Sequence, residues 1–255
     1  MTDLQTRFTT EGLVIKEMDV GESDRLVTLF TRDLGLIKAF ASGAKNIKSK
    51  KNAATALLTY SSFTILNKKG TYRIYEATTQ TSFFTMGSDI EILALSQYFC
   101  ELSAVFAESG VANVEFLRLI LNSLHFLTKE KRHPPLIKAI TELRTAVISG
   151  YMPNLLACDN CGKFEDVIMY FNTTDGTLCC NECNTRTESF WLDRTLLSAI
   201  RHIAFSDFSK LYSFEIPEKS ADRLSKITEK YITVQTEYSF SSLEFYNSVC
   251  TDNKE

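Results

Sequence analysis

Two cysteine pairs carry the clearest chemistry in the chain. Cys158 with Cys161 and Cys180 with Cys183 are each a CxxC, and 18 residues separate the pairs in CDNCGKFEDVIMYFNTTDGTLCCNEC. Two thiolates three positions apart on a tight turn reach one metal ion together, and two such turns supply the four sulfurs of a closed tetrahedral site. Four sulfurs leave no open coordination position. The expected ion is therefore one structural Zn2+, whose binding lends on the order of 10 kcal/mol to folding. The adjacent Cys179 competes with Cys180 as third ligand; Cys180 is preferred because it restores the CxxC spacing, leaving Cys179 as a small apolar residue at the end of its strand. A redox dithiol needs one such pair rather than two. A catalytic zinc would want histidine or glutamate partners, and His125, His133 and His202 stand in no HxE or HExxH setting. Cys100 and Cys250 read as packed thiols.

A second chemistry lies in GESDRLVTLFTRDLGLIKAFASGAKNIKSKK, which ends with Lys45, Lys48, Lys50 and Lys51 inside seven residues. Lys38 precedes them, and Lys68, Lys69 and Arg73 follow around NKKG. Point charges of this kind neutralise phosphates, while Phe40 and Tyr72 offer faces on which bases stack, the combination used by sequence-tolerant binders of single strands. A solvated lysine loop beside core aromatics is the bland alternative, and charge alone weighs the two evenly. No catalytic constellation competes with binding: no two glycines are spaced as GxG, no Walker lysine motif occurs, and three scattered histidines support no Ser, His and Asp grouping.

The elements that must position these groups are written in the hydrophobic pattern. Segments near Gly12 to Asp19, Asp24 to Arg32, Leu36 to Ser42, Ala56 to Leu66 and Thr71 to Thr78 are rich in β-branched and aromatic residues and bounded by turns, with NKKG as a hairpin turn. Five short strands in residues 1–80 suit a small closed or partly open barrel such as the oligonucleotide-binding (OB) fold, and an SH3-like barrel would count similarly. From Ser88, whose partner Glu91 completes a capping box, the period becomes helical. Stripes follow through Ile92, Leu95, Phe99, Leu102 and Phe106, then Leu117, Ile120, Leu124 and Leu127, then, after Pro134 and Pro135, Leu136, Ile140, Leu143 and Val147. These read as a helical bundle. Beyond the cysteines, Leu192, Leu196, Ile200 and Ile203 mark another helix, and Leu224, Ile227, Tyr231 and Val234 one more. The expected fold is α+β and multidomain: residues 1–80 an OB-type barrel, and residues 81–255 a helical domain with a four-cysteine, zinc-ribbon-like site at 158–183 and C-terminal helices.

The 255 residues carry a formal charge of −3, unevenly spread. Residues 1–80 hold 12 Lys and Arg against 8 Asp and Glu, a balance of +4, and the remainder 16 against 23, a balance of −7. One part suits a polyanion and the other suits something else. No apolar window nears the roughly 18 residues of a membrane span, and no basic start runs into an apolar leader, so the expected setting is cytoplasmic.

The opening TEGLVIKEMDVGESDRLVTLFTRDLGLIKAFASGAK closely resembles the N-terminus of the bacterial RecO family of recombinational repair proteins, and CDNCG to CNEC resembles the zinc-binding form of that family. The resemblance runs over nearly the whole chain in the same order. It implies a non-enzymatic, nucleoid-associated mediator that binds single- and double-stranded DNA and anneals complementary strands without nucleotide hydrolysis. It also implies partners: RecR, the tail of single-stranded DNA-binding protein (SSB) and, indirectly, the RecA recombinase. For the acidic SSB tail, a groove near Arg118, Lys138 or Arg144 is expected. The DNA-contacting residues proposed above come from charge and position in this chain rather than from the family. A protein adaptor with incidental DNA contact is the alternative from another class, and a three-cysteine metalloenzyme a third. Only Lys163 and Arg186 bring positive charge near the cysteines, so the metal is expected to brace the fold.

Overall fold

Alternating apolar and polar residues give five strands in the first third of a computed structural model, which describes residues 6–84 and 89–252. These are β1 (Thr6–Val20), β2 (Asp24–Thr31), β3 (Gly35–Ala41), β4 (Thr59–Lys68) and β5 (Thr71–Ser82). They close into a barrel in the order β1-β2-β3-β5-β4, every pairing antiparallel except the short β3–β5 seam. β1 is long enough to pair with both β2 and β4, and its register shifts between Val14 and Lys16 as it bends from one partner to the other. Inward positions Val14, Val27, Leu29, Ile37, Ala39, Phe63, Ile65 and Ile74 fill the interior.

The segment between β3 and β4, which reads in the sequence as one basic loop, is partly helical. It contains a short helix, α1 (Lys50–Ala54), capped by the Ser49 hydroxyl, and Ala44 and Ala54 belong to the barrel core. Five residues are too few to show a helical period, which is why the element is invisible in the sequence pattern. Asn52 donates to the Ala44 carbonyl at 2.9 Å, and Arg25 reaches the Asn52 carbonyl at 3.2 Å, pinning the segment at both ends.

By contacts the chain forms two units, Met1–Glu130 with Ser241–Glu255, and Lys131–Phe240. The first adds to the barrel α2 (Ile90–Phe106), α3 (Val114–Thr128) and α7 (Ser241–Asp252). Ser88 of the expected capping box lies outside the described residues; Asp89 caps α2, accepting the Glu91 N–H at 3.0 Å. α2 packs on α3 and α7, and the Glu101 carboxylate of α2 accepts the Ser242 N–H at 2.8 Å to cap α7. Gly35, at φ +59°, sits where a Cβ would lie 2.1 Å from the Glu108 carbonyl oxygen, so only glycine lets the β2–β3 turn approach the end of α2.

The second unit contains α4 (Pro134–Ile148), α5 (Arg194–Phe205) and α6 (Glu218–Thr236) beside a small sheet of β6 (Asn154–Cys158), β7 (Met169–Asn172), β8 (Thr177–Cys180) and β9 (Phe190–Leu192). Its strand order is β6-β8-β7-β9. α4 packs along α6, and Phe171 of β7 meets Tyr231 of α6 with ring centroids 5.4 Å apart. The three helices read as one bundle are thus shared between units, α2 and α3 in one and α4 in the other. A periodic apolar stripe states that a helix face is buried but not against which partner. Among the described residues no helix is long and apolar enough to cross a membrane.

Candidate metal centre and basic barrel face

Cys158 ends β6 and Cys180 ends β8, two strands that pair in parallel, so both CxxC turns leave the sheet from the same edge. Each turn closes on its own first cysteine. The Gly162 N–H donates to the Cys158 carbonyl at 2.9 Å, and the Asn184 N–H to that of Cys180 at 3.0 Å. Gly162, immediately after the second cysteine, holds φ at +73°, the left-handed conformation that lets the first turn fold back.

The consequence is that one sulfur from each of Cys158, Cys161, Cys180 and Cys183 lies within 4.8 Å of the others. A tetrahedron with metal–sulfur bonds of about 2.3 Å has edges of about 3.8 Å. Cys161 and Cys180, from different turns, already stand 3.7 Å apart. The residues therefore fit a four-thiolate metal, and a chelate of soft sulfurs suits zinc. Burial opposes ionisation of Cys158, but the N–H groups of Cys180, Cys161 and Asn160 outweigh it and draw the thiol down to about 6. Cys183, donating to Cys180 and then to Cys161, is pushed up to about 12. The backbone N–H groups that favour a thiolate at Cys158 favour metal binding as well, since thiols lose their protons when they ligate a cation. Cys179 stands outside the four: it pairs in register with Tyr170, and burial, then the charge of Cys158, raise its thiol.

Sequence reasoning missed the residue that ties the first turn down. Arg201 of α5 donates to the carbonyls of Leu155 at 2.8 Å, Leu156 at 2.7 Å and Phe164 at 2.6 Å, and its guanidinium lies 4.2 Å from the centre of the Phe164 ring. These partners are 37 to 46 residues away in the chain, so no local spacing signals the contact. Lys163 pairs with Asp166 at 3.0 Å and Arg186 pairs with Asp175, so the positive charge beside the cysteines is locally neutralised.

On the barrel, the β3–β5 seam sets Phe40 opposite Arg73, with the guanidinium carbon 5.9 Å from the ring centre. Lys38, two residues before Phe40, shares its outward face by the strand period. Lys68 and Arg73 line a cleft of about 350 Å³ with Leu66 and Thr71, and Lys69 follows Lys68 in the exposed turn. Tyr72, by contrast, points the other way and packs edge-on against Phe8 at 6.3 Å, next to the barrel core. The lysine run is divided too. Lys48 and Lys50 are exposed, Lys45 pairs with Asp19 at 3.0 Å, and Lys51 donates to the Ile74 carbonyl at 3.0 Å, holding α1 to β5.

Of the cations expected to line a partner groove, two face inward. Lys138 is buried between Glu142 at 2.9 Å and Glu229 at 2.7 Å, and Arg144 reaches the Ala204 carbonyl at 3.1 Å. Helical spacing cannot distinguish an inward lysine with buried acid partners from a solvated one, so the expectation for these two is corrected. Arg118 is exposed on α3.

The family description "Recombination protein O N terminal" matches residues 4–83, and "Recombination protein O C terminal" matches residues 87–244. The chain is 32% identical over 242 residues to the DNA repair protein RecO of Acetivibrio thermocellus, covering 94% of this chain and 96% of that protein. It is 26% identical over 243 residues to the DNA repair protein RecO of Alkaliphilus metalliredigens, covering 94% and 98%. A third relative, the DNA repair protein RecO of Dehalococcoides mccartyi strain CBDB1, is 29% identical over 210 residues, 82% of this chain and 83% of its own.

Proposed function

The chain belongs to the recombination protein O family of DNA repair proteins, and from that premise we propose that it is a recombination mediator whose barrel, of the OB type, binds single- and double-stranded DNA. Annealing follows from the same surface. A protein that neutralises backbones with lysine and arginine while leaving base edges free lets complementary strands find each other, and this needs no bond-breaking step. In the cytoplasm its partners are RecR and SSB, and through them RecA is loaded onto coated strands.

The observation that carries the reading is the outward face of β3 and β5, where Arg73 lies over Phe40 with Lys38 on the same face and Lys68 beside it. The pairing of an aromatic face with a guanidinium and flanking ammonium groups is the recurrent equipment of OB surfaces that track a strand. Lys48 and Lys50 extend the charge, and Lys45, Lys51 and Tyr72 support it from behind. The four-cysteine site is read as one structural zinc ion, closed to substrate.

The test is the salt dependence of affinity for an unstructured single strand, comparing wild type with a Lys38→Gln, Lys48→Gln, Lys50→Gln, Arg73→Gln variant. Each lost phosphate contact lowers the log–log slope by about 0.7, so a fall of about 2 to 3 is expected. An unchanged slope would remove the barrel as the DNA site.

A further inference from the structure

α6 carries Lys219, Arg223, Lys226 and Lys230, at spacings of four, three and four residues. At 3.6 residues per turn these fall within an arc of about 60° and run along about 16 Å of helix. Asp222 and Glu229 of the same helix lie on the neighbouring arc and are already paired, Asp222 with His133 at 3.1 Å and Glu229 with Lys138 at 2.7 Å. Lys219, Lys226 and Lys230 are exposed, and among the described residues none of them has an acid partner. Asp222 and Glu229 are thus engaged on the α4 side while Lys219, Lys226 and Lys230 face water, as does Glu218 at the start of the helix.

Beside this stripe stands the chain's sole tryptophan. Trp191 of β9 is 45% exposed, and Arg223 lays its guanidinium carbon 3.1 Å from the ring centre while donating to the Trp191 carbonyl at 2.9 Å. The arginine therefore joins the indole to the row of lysines. At the far end, Lys230 opens onto a cleft of about 460 Å³ lined by the hydroxyl residues Thr173, Thr174, Thr187 and Ser189, with Phe190 and the acid Glu188. Asp193 is the acid that acts on Arg223. With Glu218 at the start of α6, three carboxylates stand against the four cations of the row, which keeps a positive sign.

We propose that the Lys219–Lys230 face of α6 and the Trp191 edge form a second DNA site, which holds the sugar-phosphate backbone of a strand independently of the barrel. The inference rests on the DNA-binding reading above for its ligand and on the second unit alone for its geometry. Stacked nucleotides rise about 3.4 Å each, so 16 Å of helix spans roughly five phosphates, enough for one phosphate per cation. The indole supplies an aromatic face for a base, and the hydroxyl cleft accepts the next phosphate by neutral hydrogen bonds. An annealer needs two strands at once. One on the barrel and one on α6 would supply them from a single chain.

Because Trp191 is the only tryptophan, its fluorescence reports this site and nothing else. The experiment titrates full-length protein with a labelled oligo(dT), reading Trp191 emission for the α6 face and label anisotropy for binding anywhere. Wild type is expected to show both signals. Lys219→Gln, Lys226→Gln, Lys230→Gln should lower the salt slope of the Trp191 signal by about 2, at 0.7 per contact, with an unchanged denaturation midpoint. The barrel variant should weaken the affinity and lower the salt slope read by anisotropy but retain the Trp191 change. Anisotropy without a Trp191 response, or a response that the α6 variant leaves intact, overturns the second site and spares the barrel reading. A Trp191 response lost together with all binding in the barrel variant also overturns it. The converse, full retention of both signals in the barrel variant, would sink the barrel reading and leave α6 as the DNA site. Quenching by poly-glutamate that equals quenching by DNA would reassign the stripe to an acidic protein surface and overturn the proposal.

Discussion

Lys138 and Glu142 stand one turn apart on α4 with their charged groups 2.9 Å apart and both side chains closed off from water, and Glu229 of α6 completes the group at 2.7 Å from the lysine. Burial pushes the Glu142 carboxyl above its usual range, against the opposing pull of the Lys138 charge. Removing one member leaves a buried charge without its counterpart. Lys138→Met is therefore expected to cost about 3–5 kcal/mol in denaturant unfolding, and Lys138→Met with Glu142→Leu to recover most of it. A carboxyl raised in the fold contributes stability below its ordinary value near 4.5 and loses it as pH rises. Since the single variant raises that carboxyl further, its deficit should be larger at pH 7 than near pH 4.5.

The two adjacent cysteines should separate cleanly by metal content. Cys180→Ser removes a sulfur from the four that lie within 4.8 Å, whereas Cys179→Ser leaves all four. After purification in excess zinc and exhaustive dialysis, elemental analysis is expected to find one metal per chain in Cys179→Ser and a clear loss in Cys180→Ser.

Arg201 should matter to the same site without touching it. Its three carbonyl partners fix β6 and the segment after the first turn, so Arg201→Ala is expected to weaken zinc retention against a competing chelator by about tenfold. Arg201→Lys should not restore it, because a single ammonium cannot replace a fork.

Within the lysine run, Lys51 and the pair Lys48 and Lys50 should behave differently. Lys51→Gln breaks the bond to the Ile74 carbonyl and is expected to lower stability by about 1 kcal/mol, read as a shift in denaturation midpoint. Lys48→Gln with Lys50→Gln should leave the midpoint unmoved and lower the DNA salt slope by about 1.4.

Glu11 of β1 accepts from Gln80 at 2.7 Å and from Tyr60 at 3.0 Å, and these two hydrogen bonds hold its carboxyl below the ordinary 4.5. A depressed carboxyl adds stability above its ordinary value and loses it as pH falls through the folded value. The denaturation midpoint should therefore drop between pH 4.5 and more acidic solution, and part of that drop should be missing in Glu11→Gln.

Whatever depends on local period and spacing is legible in the chain before it folds. Strand alternation located five strands of the barrel, stripes through Leu95, Leu124 and Ile140 located helices, and the CxxC repeats singled out four sulfurs, because each signal is confined to a few neighbouring residues. What it could not carry was the choice of partner. Lys45, Lys48, Lys50 and Lys51 look alike in a string, and only the fold directs Lys51 to a carbonyl on β5 and Lys45 to Asp19 while leaving the others in water. Lys138 reads as a solvated helix cation until α6 brings Glu229 against it from 91 residues away. Arg201 and the first cysteine turn, or Arg223 and Trp191, meet through contacts that no spacing records. Secondary structure is set by a residue's neighbours in the chain, but the charge a surface presents is set by which side chains burial has already paired, and that is decided only when distant elements pack.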